Sequence, residues 1–230
     1  MKIYYAKIPV FSAEEMQQCM EILPKERAER IGKIKLEKSS IQSVAAGLLL
    51  EHALSEHGMQ GKNLTFLKNT DGKPFIAEYP EFHYNLSHSK EYVVLVVDEC
   101  PVGIDIEELR MGYQKLATRF FSLEEVAVLK EHWSDDLFTK LWTRKESYLK
   151  ATGFGMRMPI DGFSILEEQV RVNEKMPQSM IEAGVIYYLS SMPVGTDSWL
   201  SVCRKGKTVL LEQDDTPLQE VDLKEILKKV

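Results

Sequence analysis

Two carboxylates separated by a single residue are the first candidates for chemistry in this chain. Asp105 and Glu107 lie in residues 102–107, where apolar and polar side chains alternate as they do in a strand. Strand side chains alternate between two faces, so both carboxylates point to the same side. Converging oxygen ligands suit Mg²⁺, which typically takes one or two carboxylates together with substrate phosphates and water. The spacing alone equally allows a solvated strand face.

A second group of polar side chains lies on a predicted helix over residues 136–151. Glu146 and Lys150 are four residues apart, which places them on one helix face. That spacing is also typical of a surface ion pair worth only about 0.2–0.5 kcal/mol. Trp142 lies one turn before Glu146, and Lys145 directly precedes Glu146. The helix therefore carries an aromatic ring, a carboxylate and two ammonium groups.

The elements that position these groups follow from hydrophobic periodicity and from helix and turn signals. Ser12 with Glu15, and Ser122 with Glu125, have the capping-box spacing that opens a helix. In chain order, the first half is predicted to contain a strand at 2–9, helices beginning at 12 and 24, a helix over 36–57, a turn at 71–72, and a hairpin of 82–86 and 92–97 around residues 87–90.

The second half is predicted to contain a strand at 102–107, helices over 113–121, 122–132 and 136–151, strands near 163–166, 185–190 and 199–203, and a short helix in the tail at 224–229. The residues around Leu86 resemble those around Leu189, and the same shift brings the helix at 36–57 close to the helix at 136–151. This repetition indicates two similar α+β halves that meet near Pro101.

Composition restricts the classes of function. The chain has 29 Lys and Arg against 35 Asp and Glu, a net charge of −6, which disfavours nucleic-acid binding. Three separated cysteines form no C-x-x-C motif, so we expect no disulfide framework and a reducing compartment. Because no signal-peptide or membrane-spanning stretch is evident, we predict a cytoplasmic protein without membrane association.

The two groups of candidate residues belong to longer patterns. Residues 102–107 (VGIDIE) followed by residues 142–150 (WTRKESYLK) resemble the two signature motifs of the 4′-phosphopantetheinyl transferases. The resemblance extends to residues 71–74 (DGKP), 82–89 (FHYNLSHS) and 119–125, in the order of the family. Both halves in one chain of 230 residues resemble the monomeric type that activates surfactin synthetase.

This resemblance implies a fold and a reaction. The fold is α+β, with two pseudo-symmetric halves at 1–100 and 101–205, a tail at 206–230, and coenzyme A bound in the cleft between the halves. The implied reaction transfers the 4′-phosphopantetheine arm of coenzyme A to a serine of an apo acyl or peptidyl carrier protein and releases adenosine 3′,5′-bisphosphate. Carrier proteins of nonribosomal peptide or polyketide antibiotic synthesis are the expected partners, and the protein is expected to be a monomer.

The resemblance also assigns catalytic roles. Asp105, Glu107 and Glu146 would hold Mg²⁺ against the pyrophosphate. Glu146 would accept the proton of the carrier serine, and Lys150 would balance the charge that develops on the pyrophosphate. Glu125 matches a further family carboxylate near the metal, although its capping-box position beside Ser122 explains it equally well.

Contacts with coenzyme A are implied at positions that match the family. These are Arg27 or Arg30, Lys73, Pro74, Ser87, His88, Lys145 and Lys150. A histidine such as His88 is otherwise often a turn or core residue. One departure is Ser43, where many relatives carry an arginine that reaches the 3′-phosphate. Lys35 or Lys38 could replace it.

Two other functions compete with the transferase hypothesis. A coenzyme A-binding module without transfer would have little reason to keep Asp105, Glu107, Glu146 and Lys150 together. A different nucleotide or acyl transferase lacks its own motif, since the chain has neither a G-x-x-x-x-G-K-[ST] loop nor a G-x-S-x-G turn. The patterns therefore favour the transferase.

Overall fold

A four-stranded sheet and a three-stranded sheet form the framework of the α+β fold. The computed structural model describes residues 1–209, 211 and 218–228. The first half comprises β1 (Lys2–Lys7), α1 (Ala13–Ile22), α2 (Lys25–Gly32), α3 (Glu37–Glu56), β2 (Phe66–Lys68), β3 (Pro74–Ile76), β4 (His83–Ser89) and β5 (Tyr92–Asp98).

The second half has a corresponding series of elements. It comprises β6 (Val102–Glu108), α4 (Gln114–Phe120), α5 (Leu123–Glu131), α6 (Asp135–Thr152), β7 (Phe163–Ser164), β8 (Arg171–Val172), β9 (Tyr187–Val194) and β10 (Ser198–Lys205), and it is followed by β11 (Leu218–Glu220) and α7 (Leu223–Leu227).

The two sheets share one topology. The first has the strand order β11-β1-β5-β4 and the second β6-β10-β9. In each sheet a strand precedes a long helix, α3 or α6, and a hairpin follows whose second strand pairs with that first strand in antiparallel fashion. This correspondence is what the sequence repetition predicts.

The predicted helix signals are present as contacts. Ser12 Oγ accepts from the Glu15 amide at 3.1 Å while the Glu15 carboxylate accepts from the Ser12 amide at 2.7 Å. Ser122 and Glu125 form the same reciprocal pair. The helix predicted over 36–57 runs from Glu37 to Glu56, and α6 ends at Gly153 in the left-handed conformation, with φ 79°. The cysteines at 19, 100 and 203 are free.

The predicted hairpin turn is shorter than expected. Ser87, His88 and Ser89 belong to β4, and the two strands already pair at Ser89 and Tyr92. The turn therefore consists of Lys90 and Glu91, and Lys90 adopts a positive φ of 42°. This shift matters because it gives the serines the alternating orientation of strand residues rather than that of a turn.

The described part of the predicted tail returns to the first half. β11 pairs in parallel with β1, and α7 packs beside α3 and α1. The predicted helix at 224–229 corresponds to α7, although residue 229 lies outside the described residues. In the described segments, no helix combines the length and apolar character needed to cross a membrane.

The core explains which face of β6 is free for chemistry. Val102, Ile104 and Ile106 are buried between the two sheets, against Val94 and Val96 of β5. The layers therefore follow one another as α3, first sheet, second sheet and α6. The opposite face of β6, which carries the polar residues, is turned towards α6.

Gly103 sets the distance between β6 and α6. A Cβ atom at this position would lie 2.1 Å from the Ser147 carbonyl oxygen and 2.4 Å from the Ala151 amide nitrogen, both in the helix backbone. Backbone atoms of a packed helix cannot rotate away, so an added methyl group must displace the helix.

We therefore expect Gly103→Ala to lower the free energy of unfolding by about 1–3 kcal/mol, as overpacking does in other cores. Chemical denaturation measures the effect. Gly32→Ala is the matched control, because a Cβ there has no neighbour within 4 Å and alanine is the better helix former. Equal stability of the Gly103→Ala variant and the wild type would contradict this role of Gly103.

Candidate active site

The Asp105 carboxylate is the point where three elements meet. Its side chain lies on β6 and the residue is only 3% exposed. Asp105 Oδ1 accepts hydrogen bonds from Ser87 Oγ of β4 at 2.8 Å and from Lys150 Nζ of α6 at 2.7 Å. Lys150 Nζ also donates to Ser87 Oγ at 2.9 Å and to the Ile104 carbonyl at 3.2 Å. The solvated-strand interpretation is therefore wrong for Asp105.

Side chains at every second position of β4 bind to β6, which is an edge strand of its sheet. Asn85 Oδ1 accepts from the Ile104 amide at 2.9 Å, and Ser89 Oγ accepts from the Glu108 amide at 3.1 Å. Together with Ser87, these residues replace the strand partner that the edge lacks. Sequence reasoning missed Asn85 and Ser89 as junction residues, although the two-residue period of polar side chains in residues 85–89 is a detectable signal.

Glu107 and Glu146 place two further carboxylates beside Asp105. Glu107 is paired with Arg110 and accepts a hydrogen bond from Ser89 Oγ at 3.4 Å. Burial and the nearby charge of Asp105 raise the pKa of Glu107, and the same two causes raise the pKa of Glu146. The charge of Asp105 thus disfavours the ionised forms of Glu107 and Glu146, and a bound cation would reverse this effect.

The residues present fit a hard cation in donor type. Asp105 Oδ2 is buried and has no hydrogen-bond partner among the described residues, which is costly for an ionised oxygen. Lys150 and Arg110 pair with Asp105 and Glu107 through the other oxygens. In the described segments no three acidic, histidine or cysteine side chains stand in a metal-binding arrangement.

A pocket of about 230 Å³ opens beside these carboxylates. Glu146 and Lys150 line one side, and the predicted Lys73 and Pro74 line the other. Lys73 Nζ donates to the Val102 carbonyl at 3.1 Å and to the Ala151 carbonyl at 2.9 Å, and burial lowers its pKa to about 8. The DGKP and KESYLK motifs, far apart in sequence, therefore border one cavity.

Other predicted contact residues lie outside the lining of this pocket. His88 is exposed and follows Ser87 on β4, so its side chain points to the opposite face of the strand. Arg27 is half-buried on α2, where burial is the main cause that lowers its pKa, whereas Arg30 is exposed. Ser43 Oγ donates to the Ser39 carbonyl of its own helix at 2.8 Å.

Lys145 and Glu125 are not at this site, which corrects two predictions. They form an ion pair with 2.8 Å between Nζ and Oε2, and both side chains are 0% exposed. Lys145 Nζ also donates to the carbonyls of Ile160 and Phe163, at 2.8 Å each, and Glu125 accepts from the Ile165 amide at 2.9 Å. The three ammonium donors of Lys145 and both carboxylate oxygens of Glu125 are therefore bonded inside the protein.

The helical spacing around Lys145 could have revealed this. Leu141, Tyr148 and Leu149 lie four residues before, three after and four after Lys145, so Lys145 shares their apolar face. Glu146 is rotated by about 100° from that face, which explains why adjacent residues have opposite environments.

Comparison with known proteins identifies the family of the chain. Residues 101–191 match the family model of the 4′-phosphopantetheinyl transferase superfamily, and residues 11–100 match that of the 4′-phosphopantetheinyl transferase N-terminal region. The chain therefore belongs to the 4′-phosphopantetheinyl transferase superfamily and is an enzyme of that class.

Individual relatives extend the comparison. A 4′-phosphopantetheinyl transferase of Bacillus subtilis is 33% identical over 184 residues, which cover 77% of this chain and 82% of the relative. 4′-Phosphopantetheinyl transferase Sfp of Bacillus subtilis strain 168 is 32% identical over 186 residues, covering 78% and 83%. 4′-Phosphopantetheinyl transferase gsp of Aneurinibacillus migulanus is 36% identical over 154 residues, covering 63% and 64%. The predicted resemblance to the surfactin-synthetase-activating type is confirmed.

The buried ion pair yields a stability prediction. We expect Lys145→Met or Glu125→Gln to cost about 3–5 kcal/mol of unfolding free energy, because each leaves the other charge buried without its partner. The double variant Lys145→Met with Glu125→Gln should lose less than the sum of the two single losses, because it leaves neither charge buried alone. Urea denaturation measures all three, with Lys130→Met on the exposed face of α5 as control. Additive losses in the double variant would contradict the pairing.

Proposed function

We propose that this enzyme transfers the 4′-phosphopantetheine arm of coenzyme A to a serine hydroxyl of an apo carrier protein, with Mg²⁺ as cofactor. The observation that carries the proposal is that Glu146 and Lys150 line a pocket together with Lys73 and Pro74, while Asp105 and Glu107 lie beside Glu146 and Lys150. Carboxylates at one end and ammonium groups along the wall suit a metal-bound pyrophosphate.

Asp105, Glu107 and Glu146 are the residues that would hold Mg²⁺. When bound, the metal supplies charge neutralisation on the pyrophosphate under attack. The support is the unpartnered, buried Asp105 Oδ2 and the two carboxylates beside it. Metal binding would require Lys150 to loosen its contact with Asp105 Oδ1, and a pyrophosphate oxygen is a suitable new partner for its ammonium group.

Glu146 is proposed as the general base. The carrier serine loses its proton to a Glu146 carboxylate oxygen, its hydroxyl oxygen forms the new bond to the β-phosphorus, and the bond from that phosphorus to the bridging oxygen breaks. Adenosine 3′,5′-bisphosphate leaves with that oxygen and the electron pair. Lys150 lies one helical turn beyond Glu146 and stabilises the charge that develops on the leaving group.

The remaining contacts with coenzyme A are proposed at two places. Lys73 and Pro74 line the pocket, and Ser87 is connected to it through its hydrogen bond with Lys150. These residues therefore suit the pyrophosphate and the adenine base of coenzyme A. Arg27, Arg30 and His88 lie on or beside the α3 side of the first sheet and would serve a phosphate further from the metal. The hydroxyl of Ser43, which is bonded to its own helix, is a weaker phosphate ligand than arginine.

The setting of the reaction is also a proposal. The two halves at 1–100 and 101–205 form the walls of the cleft, with the described part of the tail at 206–230 joined to the first. We propose a cytoplasmic monomer that serves acyl or peptidyl carrier proteins of nonribosomal peptide or polyketide synthesis. Support comes from the similarity to the surfactin-synthetase-activating type and from the absence of cysteine pairs in the described structure.

Intact-protein mass spectrometry tests the reaction directly. An apo peptidyl carrier protein incubated with the enzyme, coenzyme A and Mg²⁺ should gain the mass of the phosphopantetheine arm, and EDTA should prevent the gain. Calorimetric binding of coenzyme A without any mass gain on peptidyl, acyl and polyketide carriers would support the binding-module alternative instead.

The role of Glu146 gives a sharper prediction. We expect Glu146→Gln to lower turnover about 10²- to 10⁴-fold at saturating Mg²⁺, because the amide cannot accept the serine proton. Its melting temperature should be unchanged or raised, since the substitution removes one of three adjacent carboxylates. Glu131→Gln on the surface of α5 is the matched control. Turnover equal to that of the wild type would exclude Glu146 as the base.

Lys73 predicts a pH dependence of coenzyme A binding. Its pKa of about 8 lies below that of a free lysine, so the ammonium form, which attracts phosphate, is lost as the pH rises through 8. We expect affinity to fall from pH 7 to pH 9 and binding near pH 8 to take up protons, as calorimetry in two buffers of different ionisation enthalpy can measure.

The control for this prediction is Lys73→Met. The variant should bind coenzyme A more weakly at pH 7 and lose most of the decline between pH 7 and pH 9, whereas Lys62→Met should behave as the wild type. An undiminished decline in Lys73→Met would assign the pH dependence to another group.

A further inference from the structure

A second cavity, of about 370 Å³, lies between the end of α6, β9 and the loop that precedes it. Its volume falls within the range of small-molecule sites. Apolar and polar side chains both line it, and the apolar ones are Phe154, Val170, Val172, Met180, Ile181 and Val185.

This second cavity is separate from the candidate active site. Tyr148 and Thr152 contribute to its lining, whereas Glu146 and Lys150 line the first pocket. Tyr148 follows Glu146 by two residues and Thr152 follows Lys150 by two residues, and a step of two residues rotates a helix position by about 200°. The pair that lines the second cavity therefore lies on the opposite face of α6 from the pair that lines the first pocket. The two cavities share no described lining residue.

Two tyrosines give the second cavity its polar character. Tyr148 is 4% exposed, and its ring packs edge-on against that of Tyr187, with centroids 5.2 Å apart. Neither hydroxyl has a hydrogen-bond partner among the described residues, and neither belongs to the fully buried unpartnered atoms, so both are accessible to a ligand. Burial raises the pKa of both phenols far above the usual value, so they remain protonated and can donate. Phenol hydroxyls that lack a protein partner, next to apolar side chains, suit a ligand that carries a hydrogen-bond acceptor.

The charge of the lining excludes an anionic ligand. Glu182 is the charged residue among the described lining residues, and its Oε1 atom is already 2.6 Å from Lys205 Nζ. No lysine, arginine or histidine is found in that described lining, so a carboxylate or phosphate would have no counter-ion there. An uncharged ligand incurs no such cost.

We infer that the second cavity binds a small, neutral molecule that combines an apolar part with a carbonyl group, and that this carbonyl accepts a hydrogen bond from Tyr148 or Tyr187. This binding is independent of the proposed transfer reaction, because it uses the other face of α6.

N-benzylacetamide is a suitable probe, since it combines an aromatic ring with a neutral amide carbonyl. A titration followed by saturation-transfer NMR on the full chain should show saturable binding. Val172→Trp should weaken binding at least tenfold by filling the cavity. Ile186→Trp is the matched control that should not, because Ile186 is similarly exposed, 42% against 43%, and lies outside the lining.

Two further measurements test the polar part of the inference. Tyr187→Phe with Tyr148→Phe should weaken binding about 3- to 10-fold, the effect of losing a neutral hydrogen bond. Phenylacetate, a negatively charged analogue of similar size, should bind at least tenfold more weakly. The inference is overturned if the wild type does not bind N-benzylacetamide, if folded Val172→Trp binds it equally, or if phenylacetate binds as well.

Discussion

The Asp105 carboxylate is the contact on which the arrangement of both halves depends. Ser87 reaches it from the first sheet, Lys150 reaches it from α6, and its own strand is the edge of the second sheet. A buried carboxylate without these partners would carry a large desolvation cost. The hydrogen bonds of Asp105 therefore connect the two halves and also place Lys150 and Glu146 beside the carboxylates of β6.

Two buried features set the orientation of α6 before any ligand arrives. Gly103 allows the helix backbone to approach β6 closely, and the Lys145–Glu125 pair ties the opposite side of the helix to the start of α5. Because neighbouring residues on a helix are rotated by about 100°, locking Lys145 inwards directs Glu146 towards the cleft. Pre-organisation of this kind reduces the ordering that substrate binding must bring about.

The balance of charge beside the pocket explains how a net acidic chain could carry out the proposed transfer from a pyrophosphate-containing substrate. The charge of Asp105 raises the pKa of Glu107 and of Glu146, while Lys150 and Arg110 partly neutralise the group. Under the proposed function, attraction for a phosphate would be a local property of Lys73, Lys150 and a cation held by the carboxylates. The overall charge of −6 has little influence at that distance, because salt screens exposed charges beyond about 8–10 Å.

The sequence by itself determined the α+β class, both capping boxes, the limits of α3 and α6 to within two residues, and the family, because these depend on local hydrogen bonds, periodicity and short ordered motifs. It placed Asp105, Glu107, Glu146 and Lys150 in one group only through the resemblance. Tertiary structure decided that Lys145 and Glu125 neutralise each other in the core, that Ser87 and Asn85 bind an edge strand, and that Gly103 sits under a helix. Local periodicity indicates which face each of these residues shares, but it does not identify their partners, which lie between 18 and 48 residues away in the chain.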